Sequence, residues 1–264
     1  MIRLNDILAV VVLFDQNGSQ NVKNKLPKEI DLVIYDNSPI GINLNSSKKI
    51  EYIHDHRNLG ICEAYNFAYK KAIEKEKNFL LLLDQDSKLT KNYFTEIHVQ
   101  TLFKNLSIIL PVVRDVKSNK IISPFRLNHF GFTKKNLLKG ITKKRISGIN
   151  SGALLSIEFL KEIKGFNPEF KLDYLDHWIL RESFRLKKDI LILNYVMDHS
   201  LSISKLDSSY PIERYLSILR SEKKFYSDEN LFYQFGYKLR LVVRIIKLRI
   251  KGCQNLSKIA REML

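Results

Sequence analysis

The sequence is poor in cysteine and in long apolar runs, and both shortages exclude classes of protein. Its 264 residues include two cysteines, Cys62 and Cys253, which lie far apart in unlike surroundings. Neither a disulfide framework nor a cysteine-based zinc site is indicated, as expected in a reducing cytoplasm. No apolar run reaches the ~20 residues of a membrane span, and the first, Ile7 to Phe14, is too short for a signal peptide and lacks a basic leader. We therefore expect a cytoplasmic protein that is soluble or peripheral on the inner face of the cell membrane.

Acidic residues are also scarce. Lys and Arg number 44 against 28 Asp and Glu, a formal net charge of +16. The excess is uneven, because residues 134–145 carry six bases and no acid, and residues 205–264 carry 13 bases against six acids. Such a balance suits nucleic acid, an anionic membrane or a phosphorylated substrate. No helix-turn-helix, zinc-finger or RNA-binding signature accompanies it, so nucleic acid is the weakest of the three.

Short apolar runs dominate the first 90 residues. Four runs have strand length, and the residues between the third and fourth repeat small apolar side chains at helical spacing, at Ile61, Ala64, Ala68 and Ala72. This succession predicts a mostly parallel sheet flanked by helices. The four predicted strands are Ile7–Phe14, Asp31–Tyr35, Lys49–Ile53 and Leu80–Leu83.

Two carboxylates, Asp84 and Asp86, directly follow the fourth run. In an open α/β sheet, ligands bind outside the carboxyl ends of the strands, and carboxylates there can hold a divalent cation against a diphosphate. The alternative is that Asp84-Gln-Asp-Ser87 forms only a turn and a helix cap, which Asp and Ser favour. Asp84 and Asp86 are thus candidates for a metal–nucleotide site.

Four ordered motifs in this half of the chain resemble the inverting family 2 glycosyltransferases of GT-A fold, especially their bacterial rhamnosyltransferase-like branch. They are Val10-Val-Val-Leu-Phe14, Val33-Ile-Tyr-Asp-Asn-Ser38, Asn58-Leu-Gly60 with Asn66, and Leu83-Asp-Gln-Asp-Ser87. The resemblance continues through Ile149–Leu155, Gly165-Phe166 and Leu172–Arg181, and fades after about Tyr226. It implies a GT-A catalytic domain with a Rossmann-like sheet. From the basic, helix-patterned C-terminal part we place the domain boundary near residue 205, with the catalytic domain over residues 1–204 and a basic helical extension over residues 205–264.

The resemblance also implies roles for individual residues. Phe14, Asp36, Asn58, Gly60, Asn66, Asp84 and Gln85 would line the nucleotide pocket, with Asp36 reading the base. Asp84 and Asp86 would bridge the diphosphate through Mn²⁺ or Mg²⁺, and His199 would complete the metal shell. A cation there stabilises the charge that develops on the leaving phosphate. For Asp36 the alternative is a local Asp-Asn-Ser-Pro turn, and for His199 an ordinary hydrogen-bonded role.

A second group of candidate site residues lies between Asp173 and Arg181. An inverting transfer needs a base for the acceptor hydroxyl, and a carboxylate is the usual choice. By resemblance this base is Asp176, with Asp173 as the fallback, because His177 stands where the commonest pattern has a second acid. The alternative for Asp176 is a helix cap favoured by the macrodipole. Trp178 and Arg181 are predicted acceptor contacts, and Trp178 has a core position as its alternative.

The C-terminal segment predicts an amphipathic helix. Arg240, Arg244, Lys247 and Lys251 fall on one narrow stripe, and aliphatic residues between 239 and 250 fill the opposite arc. Such a helix can lie on an anionic leaflet. It can equally pack on the catalytic domain or form a dimer interface.

These features together predict an inverting, metal-dependent glycosyltransferase of bacterial surface-polysaccharide assembly, such as O-antigen or capsule. Its donor would be a nucleotide-diphosphate sugar, with dTDP-rhamnose favoured, and its acceptor a glycan or a polyprenyl-diphosphate-linked glycan. The alternatives are a related nucleotidyl- or sugar-phosphate transferase and a non-catalytic sugar-nucleotide or glycan-binding module.

Overall fold

The computed structural model describes residues 1–15, 26–99, 105–128, 130–131, 133–137, 139–199 and 206–264. The chain divides into two compact units. The first contains Met1–Phe125 and Asn136–Ser200, and the second contains Arg126–Lys135 and Leu201–Leu264. The predicted boundary between residues 204 and 205 lies outside the described residues and stays a prediction. The assignment of 126–135 to the second unit was not foreseen.

Twelve strands occur in the described part of the chain. They are β1 Ile7–Leu13, β2 Asp31–Asp36, β3 Ile50–His54, β4 Phe79–Asp84, β5 Leu106–Asp115, β6 Lys120–Ser123, β7 Phe125–Leu127, β8 Thr133–Asn136, β9 Gly140–Thr142, β10 Ile146–Ser147, β11 Leu154–Ser156 and β12 Asp189–His199. The first four match the predicted strands within two residues at each end.

A large sheet forms the centre of the first unit, in the order β3-β2-β1-β4-β11-β5-β12-β9, with β6 also paired to β5. Strands β3, β2, β1 and β4 are parallel neighbours, and β12 is parallel to β5. Short β11 runs antiparallel to both β4 and β5, and β9 and β6 run antiparallel to β12 and β5. The expected α/β architecture is confirmed, with parallel pairing through the first half of the sheet. Of the eight pairings described in this sheet four are antiparallel, and all four involve strands after β4.

Helices cover both faces of this sheet. They are α1 Ile61–Glu74, α2 Lys91–His98, α3 Ile157–Glu162 and α4 Leu175–Arg185. Every residue of β1 and β2 is buried, which is why these strands read as continuous apolar runs rather than as alternating ones. Ala9, Val11 and Leu13 share one core cluster with the aromatic side chains of α2. Helix α1 contacts β1 and β4, and its alanines allow the close approach.

The second unit contains the helices α5 Ile212–Ser227, α6 Leu231–Ile250 and α7 Gln254–Glu262. The basic stripe predicted on α6 is wrong in part. Arg244 donates two hydrogen bonds, of 2.6 and 3.0 Å, to the buried carboxylate of Glu222. Arg240 donates to the Phe130 carbonyl at 2.9 Å and lies over the Tyr226 ring, 4.7 Å from its centroid. These two arginines are half-buried, and partners within the unit hold them. Among the residues described, we find no helix with the length and apolar character to cross a membrane.

Candidate active site

Three parallel strands deliver the candidate residues to one edge of the sheet. In the register of β1, Leu13 lies beside Asp36 of β2 and Val12 beside Asp84 of β4. Phe14, next in the chain, therefore emerges between the two acids. Its backbone N–H donates to the Gln85 side-chain oxygen at 3.0 Å, so the loops after β1 and β4 are joined. The Phe14 side chain is 47% exposed and is available to a ligand.

Asp84, Asp86 and His199 converge at this edge. Each offers a ligand atom, and these atoms all lie within 4.8 Å of one another. Asp84 is the half-buried last residue of β4, Asp86 is exposed, and His199 is the half-buried last residue of β12. Three residues that span 115 positions of the sequence are thus brought together by the ends of two strands.

Gly152 helps to bring β12 near the end of β4. It precedes the short strand β11, and its N–H donates to the Leu82 carbonyl of β4 at 2.8 Å. A Cβ added there would lie 3.0 Å from Pro111 and 3.2 Å from the Met197 sulfur of β12. With φ at +75°, the position also favours glycine. A side chain at this position would crowd Met197, two residues before His199.

Two buried serines hold the Asp84 turn. The Asp84 N–H donates to the Ser87 hydroxyl at 2.8 Å, and that hydroxyl lies 2.5 Å from the Ser151 hydroxyl. The Ser87 N–H donates back to the Asp84 carbonyl at 3.0 Å. A turn was the alternative prediction for these four residues, and the turn exists, but the following helix α2 has Thr90 as its N-cap. Ser87 therefore orients an acid instead of capping the helix.

Electrostatics at Asp84 favour a bound cation. Burial raises the pKa of the Asp84 carboxyl, the nearby His199 lowers it in part, and the negative charges of Asp86 and Asp176 raise it again. Two carboxylates so close repel each other unless a positive charge lies between them. This is the arrangement that a divalent cation stabilises.

The donor set fits Mn²⁺ or Mg²⁺. Carboxylate oxygens are the preferred protein ligands of Mg²⁺ and Mn²⁺, and an imidazole suits first-row transition metals such as Mn²⁺. Ligand atoms on opposite sides of an ion with bonds of about 2.1 Å are about 4.2 Å apart. Separations within 4.8 Å therefore let one ion contact all three groups after small side-chain movements. With three protein ligands, positions would remain for the oxygens of a diphosphate.

Asp36 is the last residue of β2 and is fully buried. Its carboxylate accepts hydrogen bonds from the Ser38 N–H at 2.9 Å, the Tyr52 hydroxyl at 2.8 Å and the Ile42 N–H at 3.3 Å. Burial alone raises the pKa of this carboxyl, but these hydrogen bonds outweigh burial and lower it. The local turn expected as the alternative is present, and Asp36 orders the loop over residues 38–42. Contact with a nucleotide base stays a prediction.

The Asn58 to Gly60 loop is fixed against a distant part of the chain. Asn58 is exposed and has φ at 47°. Gly60 has φ at 94°, and a Cβ added to it would lie 2.9 Å from the Lys171 carbonyl carbon and closer still to its oxygen. That oxygen accepts the Cys62 N–H at 3.1 Å. Gly60 is thus required for α1 to begin against the segment that leads to Asp173.

Asn66 has a positioning role in this structure. Its amide donates to the Phe166 carbonyl at 2.8 Å, and its side-chain oxygen accepts the Phe166 N–H at 2.9 Å. Gly165 makes this possible, because a Cβ there would lie 2.7 Å from the Asn66 oxygen. Both ends of the amide are engaged by the loop before α4, and the predicted nucleotide contact is not among these bonds.

The two candidate bases lie at the start of α4. Asp173 precedes the helix, and Asp176 lies in its first turn, where its carboxylate accepts the His177 N–H at 2.7 Å. The charge of Asp176 contributes to the raised pKa of Asp84, so it acts on the acidic cluster. Trp178 and Arg181 are only 7% and 2% exposed. This burial is the core position given as the alternative for Trp178, and neither side chain presents a surface to an acceptor here.

Several residues near the site have no distinguishing signal in the sequence. Ser151, Lys171 and Tyr65 are common residue types, and their roles depend on contacts across the fold. Tyr65 is fully buried on α1, where burial raises the pKa of its hydroxyl and the charges of Asp84 and Asp176 raise it further. It therefore stays neutral beside the two acids. The apolar spacing of α1 predicts that residues such as Ala64 and Ala68 face the sheet. It does not predict that the Tyr65 hydroxyl lies near the site.

Comparison with known proteins agrees with this geometry. No family model matches the chain. It is 23% identical over 230 residues to a dTDP-rhamnosyl transferase, RfbF of Shigella flexneri, covering 81% of this chain and 78% of that one. A mannosyltransferase from Pyrobaculum calidifontis, solved with GDP-Man and Mn²⁺, superposes with a TM-score of 0.56 at 10% identity, covering 97% of this chain and 86% of that one.

A second solved structure is GalNAc-T7 with UDP, GalNAc and Mn²⁺. Its TM-score is 0.55 at 11% identity over 84% of this chain, and the match spans about half, 48%, of the GalNAc-T7 chain. At such low identities the superpositions establish architecture. The expected architecture is confirmed: this chain has the GT-A glycosyltransferase fold.

Proposed function

We propose that this protein is a metal-dependent glycosyltransferase that moves a sugar, with inversion, from a nucleotide diphosphate to a glycan or lipid-linked acceptor. The convergence of Asp84, Asp86 and His199 within 4.8 Å at the carboxyl edge of the sheet carries the proposal. A sugar–diphosphate donor needs a cation at the point where strands end and loops open. The GT-A architecture and the rhamnosyltransferase relative support it.

In this proposal each residue near the edge has a physical task. Asp84, Asp86 and His199 would hold a Mn²⁺ or Mg²⁺ ion, which would neutralise charge on the leaving diphosphate. Ser87 and Ser151 fix the Asp84 backbone and side chain so that the ligand atoms need little rearrangement. The exposed ring of Phe14 and the Asp36-ordered loop line the nucleotide pocket, together with Asn58, Gly60 and Gln85.

Asp176 is the proposed general base. As the acceptor oxygen bonds to the sugar anomeric carbon, the bond from that carbon to the diphosphate breaks on the opposite face. Asp176 takes the hydroxyl proton. Its charge acts on Asp84, which favours it over Asp173, and it lies in the first turn of α4, where the helix dipole favours a negative charge.

For the donor we propose dTDP-rhamnose, on the basis of the motif resemblance and the RfbF relative. UDP-hexoses and UDP-N-acetylhexosamines are the competing donors. The acceptor belongs to bacterial surface-polysaccharide assembly, O-antigen or capsule. A polyprenyl-diphosphate carrier would place the enzyme at the cytoplasmic face of the membrane, and its anionic headgroup suits the +16 charge of the chain.

The test measures manganese affinity and donor cleavage separately. We expect Asp86→Asn to weaken Mn²⁺ binding and to abolish transfer from dTDP-rhamnose. Mn²⁺ binding is measured by electron paramagnetic resonance with donor present. Asp198→Asn is the matched control, because Asp198 is an exposed acid next to His199 whose carboxylate pairs with Arg114 at 2.7 Å. Unchanged manganese binding and turnover in Asp86→Asn would contradict the metal role.

Slow donor hydrolysis distinguishes the alternative functions. Manganese-dependent release of nucleoside diphosphate from a panel of nucleotide sugars is the result expected of a glycosyltransferase. Release of nucleoside monophosphate or pyrophosphate would indicate nucleotidyl- or sugar-phosphate transfer. Binding without release of either would indicate a non-catalytic module.

A further inference from the structure

Helix α6 presents an apolar face to solvent along its whole length. The large side chains of this face recur at spacings of three and four residues and are each at least 40% exposed: Phe232, Phe235, Leu239, Val242, Ile246 and Ile250. Phe130 of the same unit adds to the face by edge contacts with Phe232 and Phe235, with centroids 6.1 and 6.4 Å away. Contiguous exposed apolar surface of this kind marks an interaction site.

The opposite face of α6 is already occupied. Tyr233, Tyr237, Leu241, Ile245 and Leu248 are buried, and the Ser257 hydroxyl of α7 donates to the Ile245 carbonyl at 3.2 Å. Tyr237 stacks on Tyr226 of α5, with centroids 5.0 Å apart. Together with the Arg244–Glu222 ion pair, these contacts fix the rotation of the helix. The apolar face cannot turn inward without breaking them.

The charged residues that α6 itself carries beside this exposed face are all basic. Lys238, Lys247 and Arg249 are exposed between or beside its apolar residues, and no ion pair involves them in the part of the chain that the structure describes. The helix contains no acidic residue from Leu231 to Ile250. An amphipathic helix with an apolar face and a basic margin is the form that lies in the headgroup region of an anionic leaflet.

We propose that this α6 face docks the protein on an anionic lipid surface. A second copy of the chain is the less favourable occupant, because face-to-face packing would bring the basic residues of one copy near those of the other with no acid to compensate. Negatively charged headgroups supply that compensation. The surface involved differs from the stripe expected from sequence. Arg240 and Arg244 are half-buried and held by partners within the unit, whereas Phe232, Phe235 and Lys238 take part. The proposal goes beyond catalysis and does not depend on it.

The experiment is co-sedimentation of the full chain with phosphatidylcholine vesicles that contain roughly one third phosphatidylglycerol, whose negative charge attracts basic residues. We expect salt-sensitive binding of the wild type, and weak binding to pure phosphatidylcholine. Replacing Lys238, Lys247 and Arg249 by Gln is expected to weaken binding by roughly 100-fold, from the attraction of three charges. Replacing Phe235, Leu239 and Ile246 by Gln, which keeps good helix propensity, is expected to weaken it at least as much.

Two matched triple variants serve as controls. The charge control replaces three exposed lysines of the first unit by Gln: Lys28, Lys48 and Lys117. The apolar control replaces by Gln three side chains of the first unit that are 41–60% exposed: Ile73, Val116 and Leu186. Both controls should bind like the wild type. Wild type that fails to bind, or α6 variants that bind as well as their controls, would overturn the proposal. So would a dimer that only the α6 variants abolish, without vesicle binding. If the apolar variant proves unfolded by circular dichroism, the charge variant decides, since it removes no buried contact.

Discussion

Replacing Gly60 by alanine tests how the start of α1 is fitted to the segment before the candidate base. An alanine at this position would be destabilising for two reasons: the φ of +94° and the contact with the Lys171 carbonyl. Gly140 has a comparable φ of +117° but nothing within 4 Å of an added Cβ. Gly140→Ala therefore carries the conformational cost alone, about 1–2 kcal/mol, offset by ~0.4–1 kcal/mol from the stiffer unfolded chain. The unfolded-chain term cancels in a comparison of the two variants, and both variants carry a cost for positive φ.

The difference between the variants isolates the contact with Lys171. Relief of the clash requires the Cys62 N–H to Lys171 hydrogen bond to lengthen or break, at a cost of about 0.5–1.5 kcal/mol. Displacing packed backbone adds about 1–3 kcal/mol. We therefore expect Gly60→Ala to unfold about 2–4 kcal/mol more easily than Gly140→Ala, which corresponds to a melting temperature roughly 4–16 °C lower for a chain of this size.

The assay is thermal unfolding followed by circular dichroism, together with donor turnover. Because the Lys171 segment leads into Asp173 and Asp176, we also expect Gly60→Ala to lower kcat more than Gly140→Ala does. Equal melting temperatures for the two variants would refute the reasoning, since the chain would then have absorbed the extra methyl group without disturbing Lys171.

Three further predictions concern single side chains. Asp176→Asn should lower kcat by roughly 10²–10⁴-fold while donor affinity persists. If Asp173→Asn instead shows the large loss of kcat and Asp176→Asn only a small one, Asp173 is the base. Asn66→Ala removes two hydrogen bonds to backbone and should destabilise the fold by about 1–3 kcal/mol in urea unfolding; unchanged stability would contradict its positioning role. Arg244→Gln leaves the buried Glu222 carboxylate without this ion pair and should lower the free energy of unfolding by about 3–5 kcal/mol. The exposed control Lys247→Gln should lower it by less than about 0.5 kcal/mol. Similar losses in the two variants would contradict the pairing of Arg244 with Glu222.

The sequence determined the first half of the fold because burial on both faces leaves a local record. Strands covered on both sides must be apolar throughout, so β1, β2 and β4 could be delimited from their composition. The spacing of alanines on α1 likewise recorded a helix packed closely on strands. The place of Asp84 and Asp86 at a sheet edge followed, because the chain must leave a buried strand at its carboxyl end.

The tertiary structure decided which polar residues meet. The family resemblance pointed to His199, but no pattern in its own sequence records the meeting with Asp84 and Asp86, which depends on the strand order that brings the end of β12 near the end of β4. The amide of Asn66 and the carboxylate of Asp36 bind backbone groups of the loops beside them, a choice made by geometry among many possible partners. Residues of common types, such as Ser87 and Ser151, carry no distinguishing pattern.

The same division holds for α6. Its sequence specified an amphipathic helix with four bases on one stripe, but the direction in which that stripe faces depends on α5, which supplies Glu222 for Arg244 and Tyr226 for Arg240. Once those arginines are paired inside, the aromatic and aliphatic residues must face outward. Periodicity fixes the angles between side chains on one helix, whereas its rotation about its own axis is set by the partners that other segments bring to it.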